Sequence, residues 1–81
     1  MAVLRLFASA REAAGTDRAV VEGRTVADVL TVARRNYGAR FAEVLAGSRV
    51  WVNGEPAEDD TPVTDADEVA VLPPVSGGAG G

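Results

Sequence analysis

Eighty-one residues allow one domain around one small core, and with 47% apolar and 25% charged residues the chain has the composition of a folded globule rather than a disordered segment. The absence of cysteine and histidine excludes disulfides, thiolate nucleophiles, zinc fingers and iron–sulfur ligation, and removes the commonest general base. The net charge of −4 is unevenly placed: residues 1–53 hold all eight arginines against five acids, and residues 54–81 hold seven acids with no base, a balance that argues against nucleic acid as a partner.

Met1 to Phe7 is too short and too polar for a signal peptide, and no apolar run approaches a membrane span, so a cytoplasmic protein without membrane contact is expected. Ala2 to Phe7 alternates as a strand, with Leu4 and Leu6 on one face and Val3, Arg5 and Phe7 on the other. Ser9 to Ala14 has the composition of a short helical turn, Gly15-Thr16-Asp17 signals a turn, and Arg18 to Glu22 reads as a second strand folding back on the first. Thr25 is an N-cap candidate with Asp28 three residues on. The stripe Val26, Val29, Leu30 and Ala33 follows, then Arg34 and Arg35 where positive charge suits a helix end, then Gly38 as the stop. A shorter helix turns Phe41, Val44 and Leu45 inward and ends at Gly47.

Arg49 to Asn53 is a third strand, with Val50 and Val52 inward and Arg49, Trp51 and Asn53 outward. Asn53-Gly54 is a strong hairpin signal, and Glu55-Pro56-Ala57 after it must be a brief edge segment because proline cannot donate to a ladder. The stretch Glu58 to Asp67 is an acidic loop, which argues for a basic protein partner or simply for a solvated face; both stay open. Glu68 to Leu72 is the last strand, with Val69 and Val71 inward and Ala70 and Leu72 outward, and Pro73-Pro74 stops it. The order calls for an α+β domain over residues 1–75: a mixed sheet of four to five strands with one main helix packed on one face. If those strands are neighbours, the uncovered face shows Phe7, Trp51 and Leu72, which together would form an interaction patch for a partner unless a loop folds over them.

Residues 76–81 form a glycine-rich tail, S-G-G-A-G-G, that has no side chains with which to build a core. No nucleophile–base pair, metal-ligand constellation or phosphate loop is present, so the chain is expected to have no catalysis of its own and no bound cofactor or metal. The chemistry that remains is that of the C-terminal carboxylate. A partner can activate it with ATP to an acyl-adenylate, which sulfide or a persulfide can open, and glycine lets the partner's channel close tightly around the backbone. Lysine is absent, so no side-chain amine of this chain could capture the activated acyl group.

The segments W-V-N-G-E-P at Trp51 to Pro56, D-A-D-E-V-A-V-L-P-P-V at Asp65 to Val75 and S-G-G at Ser76 to Gly78, with the opening L-R-L-F-A-S-A-R-E-A-A-G, resemble the MoaD/ThiS-type β-grasp sulfur carriers over nearly the whole length. Within that family the chain is most similar to the MoaD type, the small subunit of molybdopterin synthase. The resemblance implies a ubiquitin-like fold and adenylation of the C-terminal glycine by an E1-like enzyme using ATP and Mg²⁺. It further implies conversion to a thiocarboxylate and sulfur delivery to a receiver, for the MoaD type the large synthase subunit, in building the dithiolene of molybdopterin. The alternatives are a carrier for another thio-metabolite (cysteine, thiamin or a secondary metabolite) and a ubiquitin-like modifier or binding module. The family pattern ends at Gly77-Gly78, whereas this chain continues through Ala79 and Gly80 to Gly81. Gly81 is the expected loaded residue, with Gly78 after processing as the alternative; the three extra residues add about 10 Å of reach.

Overall fold

A computed structural model describes residues 1–74. The chain runs β1 (Ala2–Leu6), α1 (Ala8–Ala14), β2 (Arg18–Val21), α2 (Val26–Tyr37), α3 (Ala39–Ala46), β3 (Arg49–Val52), β4 (Glu55–Pro56) and β5 (Glu68–Leu72). The five strands form one mixed sheet in the order β2-β1-β5-β3-β4. β1 and β5 are parallel, with Leu4 opposite Val69 and Leu6 opposite Val71, and the other pairs are antiparallel. Alternation therefore puts Ala2, Leu4, Leu6, Val69 and Val71 on the inner face, all of them buried.

The helical stripe on α2 falls as its spacing dictates: Val26, Val29, Leu30 and Ala33 are the buried residues of that helix. The Thr25 hydroxyl accepts from the Asp28 backbone N–H at 3.2 Å, and the Asp28 carboxylate accepts from the backbone N–H of Arg24 at 3.0 Å. This is a capping box displaced by one residue, because the shorter Asp reaches Arg24 instead of the cap itself. Gly23, just before it, lies so close to the helix that an added Cβ would sit 2.8 Å from the Val29 nitrogen and 2.9 Å from the Asp28 Cβ. Only a glycine lets the chain enter the helix by that route.

α2, at 12 residues, is the main helix of the inner layer, and the shorter α1 and α3 complete it. α1 runs for seven residues, longer than the single turn expected, and α3 buries Phe41 and Leu45. Phe41 is fully buried and meets Tyr37 edge-to-face at 5.1 Å. β1 ends at Leu6, one residue earlier than the alternation suggests: Phe7 caps α1, and Ala8 after it has φ 51°. The chain turns a corner there, and Phe7 leaves the sheet.

The acidic loop is not merely solvated. Its carbonyls at Asp59 and Thr61 accept the Ala27 and Val26 N–H groups at the start of α2, at 2.8 and 2.9 Å, and the Val63 N–H donates to Arg24 at 2.9 Å. These bonds satisfy helix N–H groups that have no partner within the helix, and they press Val63 into the core. At the other end of the loop, the Asn53 side-chain amide donates to the Asp67 carboxylate at 2.8 Å and its oxygen accepts from the Glu68 N–H at 2.9 Å. Asn53 and Gly54 both have positive φ, 51° and 83°, the two-residue turn that their sequence signals.

That bond from Asn53, followed by the Thr64 backbone N–H, holds the Asp67 carboxyl below the ordinary carboxylate range. A lowered folded-state value means that Asp67 contributes stability above the ordinary aspartate value of about 3.9, and that the contribution is lost as pH falls through the lowered value. Acid titration of wild type should therefore show a steeper loss of stability below about pH 4 than Asp67→Asn. Carboxyl-detected NMR should show the Asp67 titration moving upward in Asn53→Ala. An unmoved titration would mean that the amide does not hold the carboxylate in solution.

Candidate functional site

The site lies at the end of β5, beside Pro73-Pro74. Cross-strand register assembles the outer face there. Arg49 stands opposite Leu72, and Ala70 stands between Trp51 and Arg5. Arg5 is in turn opposite Arg18, and Trp51 opposite Pro56. One row, Arg18-Arg5-Ala70-Trp51-Pro56, thus crosses all five strands, with Leu72 and Arg49 one step nearer the tail. Gly47, Arg49, Trp51, Leu72, Pro73 and Pro74 enclose a hollow of about 350 Å³ with mostly apolar walls.

Of the residues predicted to form a partner patch, Trp51 and Leu72 meet in this hollow, both half-buried. Phe7 does not line it. It is 39% exposed at the corner after β1, with the Arg5 guanidinium 5.7 Å from its ring centroid, so it borders the face from the β1 side. Gly47, Arg49, Pro73 and Pro74 join the hollow without having been singled out from sequence. Alternation already set Arg49 on Trp51's face, but only strand order brings both beside Leu72. Gly77, Gly78, Gly80 and Gly81 lie outside the described residues.

The charges on this face are largely arginine. Arg5 reaches the Glu68 carboxylate at 3.3 Å, an exposed pair of about 0–1 kcal/mol. Arg18 and Arg49 are exposed, and neither has an ion pair among the described residues. Glu68 is the acid that register sets on this face, beside Val3 at the end away from the tail. A larger hollow of about 610 Å³ lies at that far end, lined by Met1, Glu22, Gly23 and Thr64 among others; it gathers none of the apolar side chains that flank Pro73. Among the described residues no group of three or more acids is placed to hold a metal ion. No helix of the described residues is long and apolar enough to cross a membrane.

The arrangement can present an apolar hollow with basic flanks directly at the root of a glycine-rich segment.

Known proteins with this architecture include small archaeal modifier protein 1 of Haloferax volcanii, at 33% identity over 93% of this chain and 96% of that one, with a TM-score of 0.77. The small archaeal modifier protein 1 of Methanosarcina acetivorans is 30% identical over 94% of each chain, with a TM-score of 0.83. A putative molybdopterin converting factor, subunit 1, from Pyrococcus furiosus is 28% identical over 91% of this chain and 97% of that one, with a TM-score of 0.76. The family model for ThiS matches residues 4–78, from within β1 through Gly77-Gly78. The β-grasp sheet, its helical layer and the diglycine segment are thus matched as one unit, and the chain belongs to the ThiS family.

Proposed function

We propose that this protein is a sulfur carrier of the cytoplasm, loaded at a C-terminal glycine and serving the formation of molybdopterin. An E1-like enzyme would bind ATP and Mg²⁺ and present the α-phosphorus to the carboxylate. A carboxylate oxygen attacks, pyrophosphate leaves, and an acyl-adenylate results. Sulfide then attacks the carbonyl carbon, AMP departs, and a thiocarboxylate remains. If the donor is a persulfide, the first product is an acyl disulfide, which a second thiol must cleave. The carrier supplies the leash and the docking face, and the partners supply the catalysis. The receiver would be a second subunit that consumes the thiocarboxylate sulfur, in line with the name of the Pyrococcus furiosus relative, a subunit of a converting factor.

The observation that carries this reading is the family match running through Gly77-Gly78 in a chain whose apolar hollow sits at the root of that segment. Gly81, of the second Gly-Gly pair, is the proposed loaded residue; the end of the family match at Gly78 supports loading there after processing. Intact mass after incubation with ATP, Mg²⁺, the cognate adenylating enzyme and sulfide is the test. One oxygen should be exchanged for sulfur at the C-terminus, and a mass unchanged in chains ending at Gly78 and at Gly81 would sink the proposal. Whichever of the two chains gains sulfur identifies the loaded residue.

A second reading, a protein modifier, is favoured by the identity of 30–33% to the archaeal modifier proteins. It predicts covalent conjugates on other proteins in the same assay. Because the chain has no lysine, those conjugates would be single additions rather than side-chain-linked polymers of itself.

A further inference from the structure

We infer that the outer face beside Pro73 docks an acidic surface of the enzyme that activates the carboxylate, with an apolar side chain of that enzyme filling the hollow between Trp51 and Leu72. The inference rests on the carrier reading above and adds the chemistry of the partner's surface. It runs against what the overall charge suggests. The chain is acidic, and its acids are concentrated after residue 53. The fold nevertheless keeps most of them off this face. Glu58, Asp59, Asp60, Asp65 and Asp67 belong to the loop before β5, and Glu55 is in register with Val52, on the opposite side of the sheet from Trp51. Asp59 shares a shallow hollow with Arg49 and Trp51 at the β3 edge, yet it makes no ion pair there. Glu68 is engaged by Arg5.

What the face presents near the tail is arginine on both flanks of an apolar strip. Arg18 and Arg5 are on one side, Arg49 on the other, and Ala70, Leu72 and Trp51 between them. Arg5 and Arg18 are direct cross-strand partners, a like-charge arrangement that disfavours the sheet. Glu68 pairs with Arg5, and no acid among the described residues forms an ion pair with Arg18. A carboxylate supplied from outside would do so. Guanidinium groups suit that role because they bind carboxylates through two parallel hydrogen bonds. A basic partner would meet repulsion on both flanks, and so would a second copy of this face.

The test uses the full chain and the purified cognate adenylating enzyme, reading Kd by titration and activation by ATP–pyrophosphate exchange. R18E combined with R49E should raise Kd about tenfold or more. Raising salt from about 0.05 M to about 0.5 M should weaken wild type but not the double variant, whose repulsion from an acidic surface salt screens. D60R, on the acidic loop, should bind within about twofold of wild type. Circular dichroism confirms folding of the double variant; R18Q with R49Q repeats the measurement with smaller perturbation, and the same direction of change is expected. A Kd unchanged or tightened by the arginine substitutions overturns the inference, as does self-association of wild type that these substitutions abolish. Absence of pyrophosphate exchange with wild type overturns the carrier reading itself, and is distinguished because it appears before any substitution is made.

Discussion

Phe41→Ala should destabilise the domain by about 3–5 kcal/mol, the range for removing a fully buried phenylalanine. Phe41 is 0% exposed and stacks edge-to-face on Tyr37, so it ties α3 to the end of α2. A domain of this size has roughly 5–15 kcal/mol in total, so the loss takes a large share of it. The urea midpoint should fall with the slope of the transition unchanged, and the melting temperature should drop by roughly 15–30 °C. A loss below about 1 kcal/mol would mean that the space under α3 closes when the ring is removed.

Trp51→Ala should act on the partner instead of the fold. Trp51 is half-buried, with its register neighbours Ala70 and Pro56 on the outer face and the hollow beside Leu72 along its flank. A tryptophan beside an apolar hollow is the type of side chain that dominates binding when covered, worth about 2 kcal/mol or more. Affinity for the proposed adenylating enzyme should therefore fall about 30-fold, while the urea midpoint falls much less than in Phe41→Ala. An unchanged Kd would remove Trp51 from the interface. Unfolding of the variant would instead make it part of the core.

Elements whose signals are local were legible in the sequence. The four buried residues of α2, the Asn53-Gly54 hairpin and the alternation of β5 depend on neighbours within a few positions, and all stand where spacing puts them. Phe7 was misplaced for a local reason too. Leu-Phe-Ala carries no turn residue, yet Ala8 adopts a positive φ that alanine disfavours, so the corner after Leu6 has no mark in the sequence. Val63 was hidden by its surroundings: among acids and threonines it reads as loop, and only the hydrogen bonds of that loop to the start of α2 press it inward. The basic character of the outer face was not legible because composition counts charges without assigning them to faces. Arg5 and Arg18 are paired through β1 and β2, and Arg49 joins their face, across the apolar strip, only once β5 lies between β1 and β3.

The central place of β5 also sets an order of events during synthesis. β1 is made before every other strand of the sheet and β5 after them, so the parallel pair at the middle of the sheet joins its first and last strands. Such a distant pairing is slow to form, because the intervening loop must be closed before any contact rewards it. Until residues 68–72 clear the ribosome, β1 has no partner on one side and β3 has none toward the centre. The glycine segment emerges directly behind the strand that completes the sheet. A partner that needs the completed outer face therefore meets it only after β5 has joined the sheet.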